Sequence, residues 1–162
     1  MRPGGPCPII GTVRRDPAPG GSAIVFSTDI TIRGYHLDAY GHVNNARWVE
    51  LLEEARWRWL DEEVDLRDWD ARGQGIALVN LDVNYRRPAH AHDVLEFRCW
   101  IDRLGGRSAV CRQEAVRKAT GERLLDARVT FLLFDLATGR PRPMEGDARA
   151  AFTRYLPEET TP

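Results

Sequence analysis

The chain has 162 residues, a hydrophobic fraction of 43%, a charged fraction of 29% and a formal net charge of −1. These values are typical of one globular domain and argue against a nucleic-acid partner, which a basic surface would attract. Because no apolar run approaches the roughly 20 residues of a membrane helix, we expect no membrane span.

The first 22 residues differ in composition from the rest of the chain. Pro and Gly occupy positions 3–6, 8, 11, 17 and 19–21. Such a composition resists packing and predicts a disordered N-terminal arm over 1–22. We place the folded domain over 23–156 and a polar tail over 157–162.

A strand, a loop and a long helix open the folded domain. Alternating apolar residues predict a strand over 23–33, and a Gly-containing loop over 34–43 follows it. From Asn45 to about Leu60, apolar residues recur at helical spacing, and Asn44 or Asn45 can serve as the N-cap. A helix of this length can cross the whole face of a sheet.

Four further strands are predicted after the helix. Val79, Leu81, Val83 and Tyr85 alternate with polar residues in a strand that ends before Pro88. The remaining strands are expected near 95–101, 107–117 and 125–133, with a short helix over 145–155. Gly105-Gly106 and Thr120-Gly121 are suited to hairpin turns, because glycine tolerates positive φ.

This order of elements predicts an α+β architecture in which an antiparallel sheet is packed against one long central helix. A single helix leaves apolar surface at the edges of such a sheet without cover. We therefore expect a homodimer or homotetramer.

Cysteine usage bears on the cellular compartment. Cys7, Cys99 and Cys111 show no CxxC spacing, which argues against a disulfide scaffold or a zinc site. The N-terminus lacks the compact apolar core of a signal peptide. We expect a cytoplasmic protein.

The loop before the helix carries the most evident chemistry. Asp38 stands three residues before Gly41, and unpaired helix N–H groups begin at about Asn45. A helix N-terminus can hold an oxyanion, and a carboxylate beside it can act as a nucleophile or a base. An Asp that only caps its own turn is the alternative, and it is the commoner role for a loop Asp. The residues alone leave both roles open.

The segment from Arg33 to Glu50, which includes GYHLDAYGHVNNARW, resembles the catalytic loop of hotdog-fold acyl-CoA thioesterases. The similar branch is the one that contains 4-hydroxybenzoyl-CoA thioesterase. The segments LLEEARW at 51–57 and VNYRRPA at 83–89 match the same family in the same order. The resemblance spans residues 24–155 and is closest to the bacterial long-chain acyl-CoA thioesterases, which lack a counterpart of the N-terminal arm.

The resemblance implies a hotdog fold and hydrolysis of acyl-CoA, with water as co-substrate and no metal or organic cofactor. It implies that Asp38 is the essential carboxylate and that the backbone N–H of Asn45 polarises the thioester carbonyl. Hotdog enzymes differ in whether the carboxylate attacks the carbonyl or activates water, so this choice stays open.

Further residues are expected to contact the substrate. They are Gly41, His42, Asn44, Trp48, Arg107 and Ser108. For His42, a role in loop structure or substrate contact is favoured over proton transfer, because the family also accepts aliphatic residues there. Arg107 and Ser108 match a pair that contacts the nucleotide of coenzyme A in relatives. His90 and His92 are expected in an exposed turn without a metal.

We therefore expect a thioester hydrolase that acts on medium- and long-chain acyl-CoA. An enzyme acting on acyl groups carried by acyl carrier protein is one alternative, and a non-catalytic acyl-CoA binding protein is another. A hotdog dehydratase is disfavoured, because those enzymes use a His with a helix carboxylate, and no His lies between Asn44 and Leu60.

Overall fold

The computed structural model describes residues 14–17 and 24–157. Within this part, the strands of one antiparallel sheet are β1 Arg14–Pro17, β2 Ile24–Thr31, β3 Gln74–Tyr85, β4 Val94–Leu104, β5 Ser108–Arg117, β6 Glu122–Asp135 and β7 Pro141–Arg142. The helices are α1 Asn45–Glu63, α2 Leu66–Ala71 and α3 Gly146–Thr153. The strands lie in the order β1-β2-β4-β5-β6-β3, and β7 pairs with β6. The predicted α+β architecture is confirmed.

Part of the predicted N-terminal arm is a strand. Residues 14–17 form β1 and pair antiparallel with residues 24–27 of β2. The composition did not predict this strand, since backbone pairing needs no particular side chains. The rest of the predicted arm, and residues 158–162 of the predicted tail, lie outside the described residues.

Helix α1 begins where the sequence predicts and runs three residues further. The Asn44 side chain caps it by accepting a hydrogen bond from the Ala46 N–H at 2.9 Å. One face of the helix is buried against the sheet, and its buried residues are Trp48, Leu51, Leu52, Ala55, Trp59 and Leu60. Their spacing of three and four residues gives the apolar stripe that fixes the helix on the sheet.

The C-terminal half of α1 sits in an aromatic cluster. The Trp59 ring lies 4.9 Å from the Tyr155 ring and 5.8 Å from the Phe152 ring, and it stacks on Phe26 at 6.5 Å. Rings at these separations add specific edge and stacking contacts to a large buried area. Helix α3 is thereby packed against the same core as α1.

Strand β3 lies at one end of the sheet and contains a bulge. Its register against β6 shifts between Leu78 and Asn80, and the bypassed Val79 is 55% exposed. A bulge inserts one residue and changes which side chains share a face. Leu81 and Val83 therefore pack against the core, whereas the predicted unbroken alternation through Val79 is wrong.

The two hairpin turns follow different geometry. Gly121 has a φ of 72°, as the Thr120-Gly121 prediction requires. Gly105 and Gly106 do connect β4 to β5, as predicted. Neither has a positive φ, so the prediction that this turn uses the tolerance of glycine for positive φ is wrong. The turn is closed instead by the Gly105 N–H, which donates to the Ser108 carbonyl at 2.8 Å.

Candidate active site

The segment between β2 and α1 is a closed backbone loop. Leu37 and Val43 form a β-bridge across it, and the Asp38 N–H donates to the His42 carbonyl at 2.8 Å. Gly41, at the tip, has a φ of 75°, where a side chain would be strained. An added Cβ at Gly41 would meet no atom within 4 Å, so this glycine is needed for backbone conformation rather than for close approach.

The Asp38 carboxylate is fixed on one side and open on the other. Its Oδ1 accepts hydrogen bonds from the Tyr40 N–H at 2.9 Å and the His42 N–H at 3.3 Å. Among the described residues, no hydrogen bond or ion pair to Oδ2 is formed, and the side chain is half-buried. The carboxylate thus caps its turn with one oxygen, and within the described residues its other oxygen accepts no hydrogen bond.

The N-terminus of α1 adjoins this loop. The Asn44 N–H donates to the His36 carbonyl at 3.0 Å, which ties the helix start to the strand-side end of the loop. Asn44 uses its side-chain oxygen as the N-cap. Within the described part of the chain, the backbone N–H of Asn45 has no hydrogen-bond acceptor. It is one of the unpaired donors at the positive end of the helix dipole.

A second histidine lies beside the loop. The His42 and His90 rings are 5.1 Å apart and nearly perpendicular. The Val43 N–H donates to the Ala89 carbonyl at 3.0 Å, which brings the segment after β3 against the loop. The sequence predicts His90 in an exposed turn, and His90 is exposed. Its contact with His42 was not predicted, because no local pattern indicates a contact between segments so far apart in the chain.

His36 has a structural partner. Its Nδ1 accepts a hydrogen bond from the Arg33 N–H at 3.0 Å, so the ring proton of the neutral side chain is on Nε2. Burial, followed by the nearby Arg47 charge, lowers the pKa of His36 below its ordinary value. The neutral form therefore caps the turn that precedes the Asp38 loop.

Helix α1 and strand β3 contribute to two separate features along the helix. Near the helix N-terminus, the Tyr85 hydroxyl donates to the Asn45 carbonyl at 3.3 Å. Further along α1, residues of the helix and of the sheet line a mainly apolar cavity of about 100 Å³. The cavity is lined by Glu53, Arg56, Trp57, Trp59, Leu60, Ile76, Leu78, Val129, Phe131 and Phe152.

The tryptophans that line this cavity do not include Trp48, which is predicted from the sequence to contact the substrate. Trp57 and Trp59 form part of its wall, whereas Trp48 is 3% exposed and packs against Phe97 with ring centroids 6.4 Å apart. Contact of Trp48 with substrate stays a prediction, and the burial of Trp48 in the core does not support that prediction. Helical spacing identifies which residues face the sheet, but it does not reveal where the sheet leaves a gap.

Arg56 is a charged residue of this cavity that the sequence did not single out. Its Nη1 donates to the buried Gln113 Oε1 at 2.7 Å, and Gln113 Nε2 donates to the Leu52 carbonyl at 3.0 Å. Burial lowers the pKa of Arg56 from its ordinary value. This chain of hydrogen bonds links α1 to β5 beneath the cavity.

Arg107 and Ser108 lie far from Asp38 within one chain. Their hairpin contacts the α3 side, where the Met144 N–H donates to the Gly106 carbonyl at 2.8 Å. The Asp38 loop contacts the segment before β4, and that strand of 11 residues separates the two ends by about 33 Å. A single chain therefore does not bring the predicted nucleotide contacts to the predicted catalytic residue.

The described part of the chain contains no cluster of three or more His, Cys, Asp or Glu side chains with the arrangement of a metal site. None of its helices combines the length and apolar character that crossing a membrane demands.

The chain matches the model of the thioesterase-like superfamily over residues 32–152. It is 40% identical over 122 residues to the long-chain acyl-CoA thioesterase FadM of Escherichia coli strain K12, an alignment that covers 75% of this chain and 92% of that protein.

Two solved structures are similar in fold. YbaW, a probable thioesterase from Escherichia coli, has a TM-score of 0.72 and 38% identity, covering 80% of this chain and 97% of that one. Slr0204, a 1,4-dihydroxy-2-naphthoyl-CoA thioesterase from Synechocystis, has a TM-score of 0.73 over 80% of this chain and 96% of that one. At 20% identity, the second likeness is one of fold alone. The family resemblance and the hotdog fold predicted from the sequence are confirmed.

Proposed function

The chain belongs to the thioesterase-like superfamily, and from this premise we propose that it hydrolyses medium- and long-chain acyl-CoA to the free acid and coenzyme A. In this proposal, Asp38 is the catalytic carboxylate and the Asn45 N–H stabilises the oxyanion. The observation that carries it is one closed loop that holds a carboxylate with a free oxygen next to an unpaired N–H at the start of α1.

The chemistry follows from these two groups. The thioester carbonyl oxygen accepts a hydrogen bond from the Asn45 N–H, and negative charge develops on that oxygen as the carbonyl carbon becomes tetrahedral. A donor fixed by the helix backbone needs no reorganisation at that moment. Asp38 Oδ2 then either attacks the carbonyl carbon or removes a proton from an attacking water.

The two routes differ in their bonds. In the first, an Asp38–acyl anhydride forms as the C–S bond breaks, and water then hydrolyses the anhydride. In the second, water forms the new C–O bond directly, and the proton taken by Asp38 passes to the leaving thiolate. A single turnover in ¹⁸O-labelled water followed by mass spectrometry identifies the first route when label is found in the protein. Water attack at the Asp38 carbon of the anhydride leaves that label, whereas the direct route and water attack at the acyl carbon of the anhydride leave none.

Acyl-chain recognition is supported by the apolar cavity between α1 and β3 near Trp57. In this proposal, the acyl chain runs from Asn45, beside Tyr85, along α1 to that cavity. Ile76, Leu78 and the core-packed Leu81 and Val83 give β3 an apolar side along this route. Each methylene buried there contributes up to about 0.8 kcal/mol, so longer chains gain transition-state binding that acetyl-CoA lacks.

A second copy of the chain is part of the proposal. Within the described residues, β3 has a free edge, and along it Leu78, Val79 and Tyr85 are 44%, 55% and 48% exposed. A free edge with apolar side chains favours pairing with another strand. Antiparallel pairing of two β3 strands about a two-fold axis would bring the distant hairpin of the second copy towards this chain's Asp38 loop. Arg107 and Ser108 could then contact coenzyme A bound at the other subunit.

The assembly has a direct test. Light scattering at micromolar concentration is expected to give at least twice the mass of one chain. Val79→Lys places a charge at the exposed bulge of the edge strand and should shift the equilibrium towards monomer with loss of activity. A stable monomer with full activity would contradict the role of a second copy.

The function is tested by free-thiol release from acyl-CoA substrates from C2 to C18, with an aromatic acyl-CoA and an acyl-carrier-protein substrate alongside. We expect kcat/KM to rise more than tenfold from acetyl-CoA to the preferred medium or long chain. Faster release from the carrier-protein substrate would favour that alternative. Binding of acyl-CoA without release on any substrate would favour the non-catalytic alternative.

A further inference from the structure

A second apolar cavity lies beyond the first, towards the C-terminal end of α1. Its volume is about 250 Å³. Its lining comes from the end of α1, from α2 and from the start of β3, and consists of Trp57, Leu66, Trp69, Asp70, Gln74, Gly75, Ile76, Phe134 and Leu136. Trp57 and Ile76 border both cavities. These two side chains therefore stand between them.

Trp57 is held in this dividing position. Its Nε1 donates to Glu53 Oε1 at 3.2 Å, one helical turn earlier, and the side chain is 42% exposed. An exposed tryptophan has other rotamers open to it, so a hydrogen bond at the ring nitrogen restricts the ring to this orientation. Trp57 and Ile76 form the division with their side chains, and Trp57 is the larger of the two, so its substitution should change the division most.

The far wall of the second cavity is more rigid. Trp69 is 1% exposed and its Nε1 donates to Asp147 Oδ2 at 2.8 Å. A Cβ added at Gly75 would lie 2.6 Å from the Phe134 ring and 3.0 Å from Leu136, so the ring packs directly on the backbone of β3. The second cavity is therefore present in the structure as it stands, and Trp57 borders it on the side of the first cavity.

The distance from the catalytic end matches the length of an acyl chain. Trp57 lies 12 residues after Asn45, which corresponds to about 18 Å along the helix axis, and its side chain tilts back towards the N-terminus. One long acyl chain spans about 15 Å, half of the hydrocarbon core of a bilayer. A chain bound with its carbonyl at the Asn45 N–H would end close to Trp57.

We propose that Trp57 sets the upper limit of acyl-chain length, and that the second cavity is a subsite for the end of longer chains once Trp57 is removed. This inference rests on the proposed acyl-CoA thioesterase function. Each methylene newly accommodated raises kcat/KM by up to about fourfold, because burial contributes up to about 0.8 kcal/mol and about 1.4 kcal/mol corresponds to a factor of ten.

The experiment compares chain-length profiles from C8 to C20 for the wild-type protein, Trp57→Ala and Trp57→Phe. For Trp57→Ala we expect the kcat/KM ratio of C20 to C12 to rise at least tenfold. Trp57→Phe keeps one aromatic ring but loses the second ring of the indole and the bond to Glu53, so it should raise this ratio less than Trp57→Ala does. Circular dichroism and thermal melting establish that each variant is folded.

A second substitution tests the destination of the chain. Leu136 lines the second cavity and does not line the first. Adding Leu136→Phe to Trp57→Ala should reverse at least half of the gain on C20, because the larger ring fills the new subsite. A gain that survives unchanged in the double variant would show that the longer chain goes elsewhere and would overturn the subsite.

Two further outcomes separate this inference from its premise. Kd values of non-hydrolysable acyl-CoA analogues of graded length measure the upper limit of acyl-chain length without any turnover. If no acyl-CoA is hydrolysed but the analogue profile shifts with Trp57→Ala, the proposed function fails and the length limit stands. An unchanged profile in a folded, active Trp57→Ala variant overturns the limit. If that variant is also monomeric, Trp57 is instead an interface residue.

Discussion

The two ends of α1 work by different physical means. At the N-terminal end, polar groups are held by backbone hydrogen bonds within the Asp38 loop, and the side chains there are largely exposed. At the C-terminal half, Trp59 is fixed by rings from β2, α3 and the residues that follow α3. The proposed chemistry therefore depends on backbone geometry, whereas stability and the proposed chain-length selection depend on side-chain packing.

This difference predicts that the two ends can be damaged separately. A large cavity made in the aromatic cluster should reduce stability and leave turnover of folded molecules near normal. A change of one atom at the helix start should reduce turnover and leave stability near normal. The following substitutions test this separation.

The largest expected effect is on stability. Phe26→Ala removes a fully buried ring that stacks on Trp59, and it should lower the free energy of unfolding by about 3–5 kcal/mol. Urea unfolding measures this loss, with Ile24→Ala on the same strand as an exposed control. Turnover of a short-chain substrate per folded molecule should stay within about threefold of wild type, since Phe26 touches none of the proposed catalytic groups. A larger loss would mean that the two ends are coupled.

The next effect concerns the oxyanion donor. Asn45→Pro removes the backbone N–H at the first helical position, where proline is well tolerated, and Asn44 already has the extended conformation that precedes proline. We expect kcat to fall by about 10²–10³-fold, the usual loss for one oxyanion donor. Asn45→Ala keeps the N–H and serves as the matched control. Equal kcat values for the two variants would remove this N–H from the mechanism.

Asp38→Asn tests the carboxylate. It keeps the side-chain oxygen that accepts from Tyr40 and His42 but removes the negative charge. We expect kcat to fall by at least about 10²-fold while affinity for a non-hydrolysable acyl-CoA analogue is retained. If Asp38 only caps its turn, the variant should instead lose about 1 kcal/mol of stability or less and turn over normally. Measuring kcat, Kd and Tm on one preparation distinguishes these results.

The helix cap should have a smaller effect. Asn44→Ala removes the acceptor for the Ala46 N–H and should lower the free energy of unfolding by about 1 kcal/mol. Asn44→Ser retains a capping oxygen and should therefore keep most of the stability that Asn44→Ala loses. Because the cap also fixes the first turn, kcat is expected to fall in parallel with the fraying of α1, which hydrogen exchange at residues 45–48 would report.

The smallest effect is a pH dependence from His36. Its pKa is lowered in the folded state, by burial first and then by Arg47, so the unfolded chain binds more protons between that pKa and about 6.5. Its contribution to stability is fully present above pH 6.5 and is lost as the pH falls through the folded-state pKa. The wild-type Tm minus that of His36→Gln should therefore shrink from pH 7.5 to pH 5. A difference independent of pH would contradict this role.

Much of the proposed site could be predicted from the sequence because its signals are local. The N-cap at Asn44, the glycine at position 41 and the helical spacing after Asn45 each fix backbone conformation within a few residues. The succession of strands and helix along the chain and the fold class follow from alternation and turn residues. The family motif then assigns Asp38 a role that local geometry alone leaves open.

Only the tertiary structure decided which distant segments meet. The bulge at Val79 moves Leu81 and Val83 onto the core, the segment after β3 brings His90 to His42, and β4 carries Arg107 away from Asp38. Trp48 belongs to the apolar stripe of α1 and Trp57 does not, yet it is Trp57 that lines the cavity and Trp48 that is buried in the core. The physical reason is that a periodic pattern specifies which face of an element is apolar, whereas the gaps between elements depend on strand register and on side-chain volumes contributed by the whole chain.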